Sequence, residues 1–403
     1  MSLAISGPKK IALIVAGLLL TLGLAWYVSS RPMDFRVYYF GAEGVFNGTR
    51  PVYGERSGMG WPMHYRYPPL FLFLALPFTR LPLSLAAAVW VVFKCGVLVL
   101  LVRSLWKRLG PATAKVAWLV PLLLAGPYVV EDLRYGNAQF FIFALTGAVL
   151  LALSEAPLLA AFALALAISV KVWPLFFIPF LAVRREWKVV GWTLGLTALL
   201  LFIPALYFGF SENLDLLAQW GRQEFLTQTG ETELSFPSQS LRGVMMRYLT
   251  LVDYSRMPDP NYAVVHLTTM AAGTVRLLWA VLAGLCYAIF LFISSRPKRE
   301  FVFGLTEALA FTGVILLEPF SQKYTLVVLL WPAMVAGRLA GNGRARGLLY
   351  AAMAIAFLQP LISGSAAQRL MQVLGFDFLA TALLAAFLVV SIFQPPTERW
   401  NSG

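Results

Sequence analysis

Residues 11–28 read IALIVAGLLLTLGLAWYV, directly behind Lys9 and Lys10. About 20 apolar residues cross the hydrocarbon core of a bilayer, and without a barrel's alternating pattern a helix is what keeps every backbone group satisfied there. The run is too long for the apolar region of a secretory signal and lacks a small-x-small cleavage site, so it reads as a retained first span. The pattern recurs along the chain. Of the 403 residues 59% are hydrophobic and 13% charged, and the apolar mass falls in long runs between short polar breaks. The expected fold is all-α, a polytopic integral membrane protein forming one unit over residues 1–403.

A formal charge of +13 would point to nucleic acid in a soluble protein, but here the basic residues sit in short loops between spans, as positive-inside topology requires. Lys9 and Lys10, Lys107 and Arg108, Arg184 to Lys188, Arg296 to Arg299, and Arg338 to Arg346 are therefore assigned to the cytoplasm. The loops 30–67, 131–136, 206–262, 318–325 and 364–375 then face outward. Spans are expected near 11–29, 82–106, 113–130, 137–153, 189–208, 264–294, 301–317, 325–337, 347–363 and 376–393. The stretch PLFLFLALPF, 69–78, is too short to cross alone and reads as a short tilted or re-entrant helix. Residues 157–183 must return to the side they left, and Lys171-Val172-Trp173-Pro174 breaks them into two short helices. The total is about 12 crossings. Cys95 and Cys286 each lie in an apolar run and His64 and His266 are the only histidines, which leaves no disulfide framework or zinc site.

Just past the first span, residues 32–41 read PMDFRVYYFG and place Asp34 one step outside the bilayer. On the expected topology Asp34, Arg66, Asp132, Asn137, Gln139, Lys171, Gln239, Arg247 and Lys323 all collect at the external face. Polar groups near hydrocarbon are costly and face a bundle interior or a cavity, so the set is read as gathered around one cavity. One carboxylate with several cations suits transfer from a lipid phosphate: the carboxylate takes a proton from an acceptor hydroxyl while cations stabilise the departing phosphate. Asp34 is the candidate base, with a compatible structural role as N-cap of Phe35 to Asn47.

Arg66, Lys171, Arg247 and Lys323 are the candidate phosphate-binding cations. Arg242 shares an expected helix with Arg247, and one of the two is expected to point inward. Tyr38, His64, Tyr67 and Asn137 are candidate substrate contacts, as are Gln139, Gln239 and Tyr324. Lys94 and Glu307, deep in expected spans, are expected to form a structural ion pair. The external loop 210–262, with seven acids and four arginines, reads as ordered from its aromatic and proline content and contributes to the site with loop 30–67. No G-x-G-x-x-G motif, P-loop or Asp-x-Asp pair occurs, so neither a cytoplasmic nucleotide nor a cofactor or metal is called for. Internal repeats with matching broken helices, the mark of a transporter, are not visible. A flippase, ligase or polymerase for lipid-linked glycans remains the alternative reading.

MDFRVYYFGAEGVFNGTRPVY, 33–53, resembles the first external loop of glycosyltransferase family 87, the polyprenyl-phosphate-mannose-dependent mannosyltransferases of the GT-C superfamily. The likeness continues in order through Tyr67-Pro68-Pro69, Gly136-Asn137-Ala138-Gln139, Lys171 with Pro174, and Gln239-Ser240-Leu241 with Gly243 and Arg247. The family commonly shows Gly-Gln-x-Asn where this chain has Gly-Asn-x-Gln, and Asn where Ser238 stands. Its Ser-Pro-x-Ser-Trp-x-His-His segment corresponds to Glu318 through Thr325, so both histidines are missing and Lys323 or Tyr324 is expected to substitute. The resemblance implies a GT-C fold, Asp34 as general base, a polyprenyl-phosphate sugar as donor and a lipid or glycan as acceptor. It also implies inversion at the anomeric carbon and an extracytoplasmic site in a bacterial cell membrane.

Overall fold

The structure, a computed structural model, describes residues 7–60, 63–110, 117–224, 237–256, 259–296, 304–340, 345–362 and 364–393. Lys298, Arg299 and Arg344 of the basic clusters, and Glu231 and Glu233 of the long external loop, lie outside these residues, as do the starts of the spans expected at 113 and 301. All regular structure among the described residues is helical.

Most expected spans have a helical counterpart, but proline cuts many of them short. The first span is the helix Gly7–Ser30, and Leu83–Leu109 runs its full expected length. The span expected at 113–130 is instead two helices, Leu119–Leu124 and Gly126–Tyr135, the second carrying a proline in its first turn. The span expected from 264 begins only at Ala272. Length and hydropathy alone qualify three described helices as membrane-crossing, or up to five if two bent pairs are counted as single spans, and six more apolar helices have only 10–17 residues. The expected total of about 12 crossings therefore needs half-length helices to act in pairs. The stretch 69–78 forms the short helix Leu70–Ala75 and a 3-10 turn, Leu76–Arg80.

The break at residue 171 follows the sequence. Pro174 has no N–H and its ring would strike the Val170 carbonyl in a continuous helix. The helix Pro157–Val170 therefore stops, Lys171 turns extended at φ −149° and ψ 139°, and the chain resumes as Trp173–Phe176 and Phe177–Val183. Buried alanines at 160, 161, 163, 165 and 167 let Pro157–Val170 lie close to both Gln139–Ala152 and Trp187–Phe202. Leu305–Leu317 is largely enclosed, packed against Leu330–Leu339 and Phe376–Ile392. Ala272–Ser294 is the opposite case, with 6% of its apolar window buried inside the protein. That leaves its surface for lipid.

The ion pair expected between Lys94 and Glu307 does not form. Each instead pairs locally: Lys94 with Asp132, and Glu307 with Arg184 at 2.5 Å. Lys94 is wholly buried, and its ammonium also donates to the carbonyls of Asp132 at 3.1 Å and Asn137 at 2.7 Å. A buried charge that loses its partner costs about 3–5 kcal/mol, whereas an apolar pair in its place is close to neutral. Lys94→Met and Asp132→Asn should each lower the thermal unfolding midpoint in detergent, and Lys94→Met with Asp132→Leu should recover most of the loss. Single variants as stable as the parent would show that the pair holds nothing.

Candidate active site

The helix Met33–Phe46 follows Gly7–Ser30 at a bend of 59°. The first helix is the apolar one, and the second, which carries Asp34, leaves its C-terminal end. Asp34 sits in the first turn of Met33–Phe46, where its negative charge suits the positive end of the helix dipole. It is not the N-cap expected from the sequence, because Pro32 occupies that position. Its carboxylate is thereby left to accept a hydrogen bond from Asn137 Nδ2 at 2.6 Å.

Asn137 follows a turn that only glycine fits. Gly136 closes the helix Gly126–Tyr135 at φ 67°, and a Cβ there would come within 3.1 Å of the Phe35 side chain. The turn is anchored on every side. Trp90 Nε1 donates to the Gly136 carbonyl at 2.9 Å, the Ala138 N–H donates to the Tyr38 hydroxyl at 3.1 Å, and the Phe140 N–H donates to Asp132 at 3.2 Å. From this turn a relay runs inward. Asn137 Oδ1 accepts from the Gln139 N–H at 2.8 Å, and Gln139 Oε1 accepts from Lys171 Nζ at 2.8 Å. The two amides thus have separate tasks, Asn137 on the carboxylate and Gln139 on the ammonium.

Lys171 lies on a cavity of about 710 Å³. Arg66 and Arg242 line it too, with Glu224, Glu318, Tyr67 and Tyr324, and one flank is apolar, formed by Leu175, Phe176, Trp279, Ala283 and Tyr287. Arg66 meets Glu224 through Nε and Nη2, both at 3.3 Å, and lies 5.8 Å from the centre of the Phe320 ring. Arg242 stands 5.1 Å over Trp279. Asp34 is not itself in the lining. It joins the cavity through the relay to Lys171 and lies within electrostatic reach of Tyr67 and Tyr324.

Of the expected cations, Arg66 and Lys171 come together and two do not. Arg247 is buried with Nε on the Val373 carbonyl at 2.8 Å and Nη1 on the Ser238 carbonyl at 2.6 Å. Five residues along the helix Leu241–Leu249 is more than one turn, so Arg242 faces the cavity while Arg247 points away from it. Lys323 is outside the lining, its ammonium 4.0 Å from Asp377, whose carboxylate also accepts from Tyr128 and Gln359. Gln239 is wholly buried and bonded to the carbonyls of Pro237 and Gln372, so it braces the chain and does not face the cavity. His64 is likewise outside the lining, and burial together with the Arg66 charge pushes its imidazole down to about 4.

Two lining acids were not among the expected site residues, and of the two arginines expected to compete for the inward position it is Arg242 that takes it. Glu224 follows the helix Phe210–Arg222, inside the loop expected to contribute. Glu318 ends a long apolar run immediately before Pro319, which was a legible signal of a polar group placed on purpose. Arg242 could be told from Arg247 only once the helix was oriented. Among the described residues no group of three or more His, Cys, Asp or Glu is placed to hold a metal ion.

Burial pushes the Asp34 carboxyl up to about 6, and the Asn137 hydrogen bond, which favours the charged form, holds it from rising further. Removing that donor must therefore raise the value again. In Asn137→Ala the acid limb of any activity that needs the Asp34 carboxylate should move to higher pH, with a lower plateau. An unmoved limb would show that Asp34 is not the titrating group.

A search of curated proteins finds no match. A family model for glycosyltransferase family 87 matches residues 65–319, a range that takes in the Asn137–Gln139 turn, Lys171 and the greater part of the cavity lining. The chain belongs to glycosyltransferase family 87.

Proposed function

We propose that this glycosyltransferase is an inverting enzyme that moves a sugar, mannose on the family resemblance, from a polyprenyl phosphate to a lipid or glycan acceptor at the extracytoplasmic face of a bacterial membrane. The observation that carries the reading is the relay from Asp34 through Asn137 and Gln139 to Lys171 at the edge of a cavity with cations on one side and apolar walls on the other. A base and a phosphate-binding cation are thereby held at a fixed separation. A sugar placed between them has its anomeric carbon facing one and its leaving oxygen facing the other.

In this reaction the acceptor hydroxyl gives its proton to Asp34 as its oxygen bonds to the anomeric carbon. The bond from that carbon to the phosphate oxygen breaks on the opposite side, and its electron pair leaves with the phosphate. Lys171 and Arg66 stabilise the growing charge, and Arg242 adds to the local positive field. Arginine reads phosphate through two parallel N–H donors, and Arg66 presents two such donors to the Glu224 carboxylate. One base and one displacement give inversion, because no enzymic nucleophile intervenes. The apolar flank suits the first prenyl units: each methylene kept out of water is worth about 0.8 kcal/mol. That flank is built by Ala272–Ser294, the helix whose apolar window is least buried in the protein.

Purified protein in lipid should transfer radiolabelled sugar from a polyprenyl phosphate to an acceptor in a bacterial lipid extract. Asp34→Asn should reduce that transfer about 100-fold to 10,000-fold with donor binding retained. Movement of labelled lipid across the bilayer without any transfer would instead establish a flippase. The base acts only when deprotonated, so kcat/KM should fall as pH drops through about 6 and stay flat above it until another group titrates. Lys171→Met and Arg66→Met should each lower turnover more than Lys323→Met, measured at saturating donor. The reverse order would return the phosphate to Lys323.

A further inference from the structure

Among the described residues, Glu318 Oε1, Trp173 Nε1 and Trp279 Nε1 are three buried atoms on the cavity wall that face no hydrogen-bond partner within bonding geometry, though Ser321 lies near the Glu318 carboxyl. A buried donor or acceptor left unmatched is costly, and native structures rarely keep several together unless a ligand completes them. These three are complementary to a sugar ring. Two indole N–H groups donate, one carboxylate accepts, and ring hydroxyls do both.

Glu318 is also held still. The helix Leu305–Leu317 ends with the Glu318 N–H on the Val314 carbonyl at 2.8 Å. Pro319 follows, and its carbonyl accepts from the Ser240 hydroxyl at 3.2 Å. Two residues on, the Ser321 N–H donates to the Ser238 hydroxyl at 2.9 Å and its carbonyl accepts from the Gln239 N–H at 2.7 Å. The Gln239-Ser240-Leu241 motif thus acts by clamping the segment that carries Glu318. A Cβ on Gly243 would come within 2.5 Å of the Ser238 side chain, so that residue too is needed for the clamp to close.

We propose that Glu318, with the indole N–H groups of Trp173 and Trp279, forms the subsite that recognises hydroxyls of the transferred sugar. The inference rests on the glycosyl-transfer reading above. Hydroxyls satisfy all three orphaned atoms without adding charge. Burial pushes the Glu318 carboxyl up and the Lys171 ammonium down, and each is partly restored by the other's charge. Glu318 therefore has a simpler possible role, as a counter-ion to Lys171, and the two roles differ in what they read. A counter-ion alters the grip on phosphate; a sugar contact alters the preference for the sugar.

The test is competition binding in lipid nanodiscs, using a short polyprenyl phosphate alone and the same lipid carrying mannose, glucose or galactose. The readout is the ratio of the Kd of the bare lipid to that of the tightest-binding hexosyl lipid. Glu318→Gln keeps shape but gives up the carboxylate, and should reduce the ratio about 10-fold to 100-fold. Trp279→Phe keeps the ring under Arg242 but removes the N–H, and should reduce it about 5-fold. It also decides the matter if Glu318→Gln does not fold. A ratio unchanged in both variants, whether or not the two affinities shift together, would assign Glu318 to Lys171 alone and overturn the subsite. A wild-type protein that binds no lipid, or does not distinguish hexosyl from bare lipid, would overturn the donor reading and this inference with it.

Discussion

The buried contact between Lys94 and Asp132 is the constraint on which the site depends. A lysine inside an apolar span has to be matched, and here the matching partners are the Asp132 carboxylate and the backbone carbonyls at either side of the Gly136 turn. The ammonium therefore neutralises a charge and shapes a loop at once. Asp132 in turn accepts from the Phe140 N–H, which starts the next helix. With both ends of residues 132–140 tied to one buried charge, Asn137 and Gln139 have little freedom left, and the Asp34 carboxylate is set by what Asn137 allows. An apolar pair in the place of Lys94 and Asp132 could hold the helices together. It could not direct two carbonyls.

Much of the fold was legible because the physical signals were local. The apolar runs, the proline at 174 and the change at Lys171 each act within one helical turn, and the helix breaks where the sequence says it must. The individual residues Asp34, Arg66, Lys171, Asn137 and Gln139 were legible for a different reason: polar side chains next to hydrocarbon need an account. Their partners were not. Lys94 was paired with the wrong acid because two charges deep in separate spans give no hint of rotation about the helix axis, and the same missing angle hid the exchange of Arg242 for Arg247. The number of crossings is left open for a third reason. Hydropathy counts apolar mass, while proline decides how much of it becomes one straight helix.

The charges around the cavity follow one pattern. Arg66 faces Glu224 in an ion pair, and Lys171 shares the cavity wall with the Glu318 carboxylate, so each cation has an acid nearby. Burying such groups unpaired would be costly, and pairing them loosely keeps them available. At 3.3 Å, with side chains 29% and 19% exposed, the Arg66–Glu224 contact is a weak bond that a phosphate can replace with a better one. In the proposed reaction the donor's phosphate takes over the contact that Glu224 makes to Arg66. Binding then exchanges one ion pair for another and does not have to desolvate bare cations.

This pattern also explains how the chain manages without the histidines that its family resemblance leads one to expect between 318 and 325. Lys323, the obvious replacement by position, is drawn toward Asp377, which Tyr128 and Gln359 already hold. The segment contributes Glu318 and Tyr324 to the cavity instead. Glu318 shares the cavity wall with Lys171, and Lys171 reaches Asp34 through two amides, so the segment after Leu305–Leu317 lies at one end of the relay to the base. A histidine at the phosphate would serve as donor and proton reservoir in one group. On the proposed reading the two tasks are divided, with positive charge on Lys171 and Arg66 and the titrating carboxylate on Asp34, and the phosphate departs as an ion stabilised by charge, with no proton passed to it.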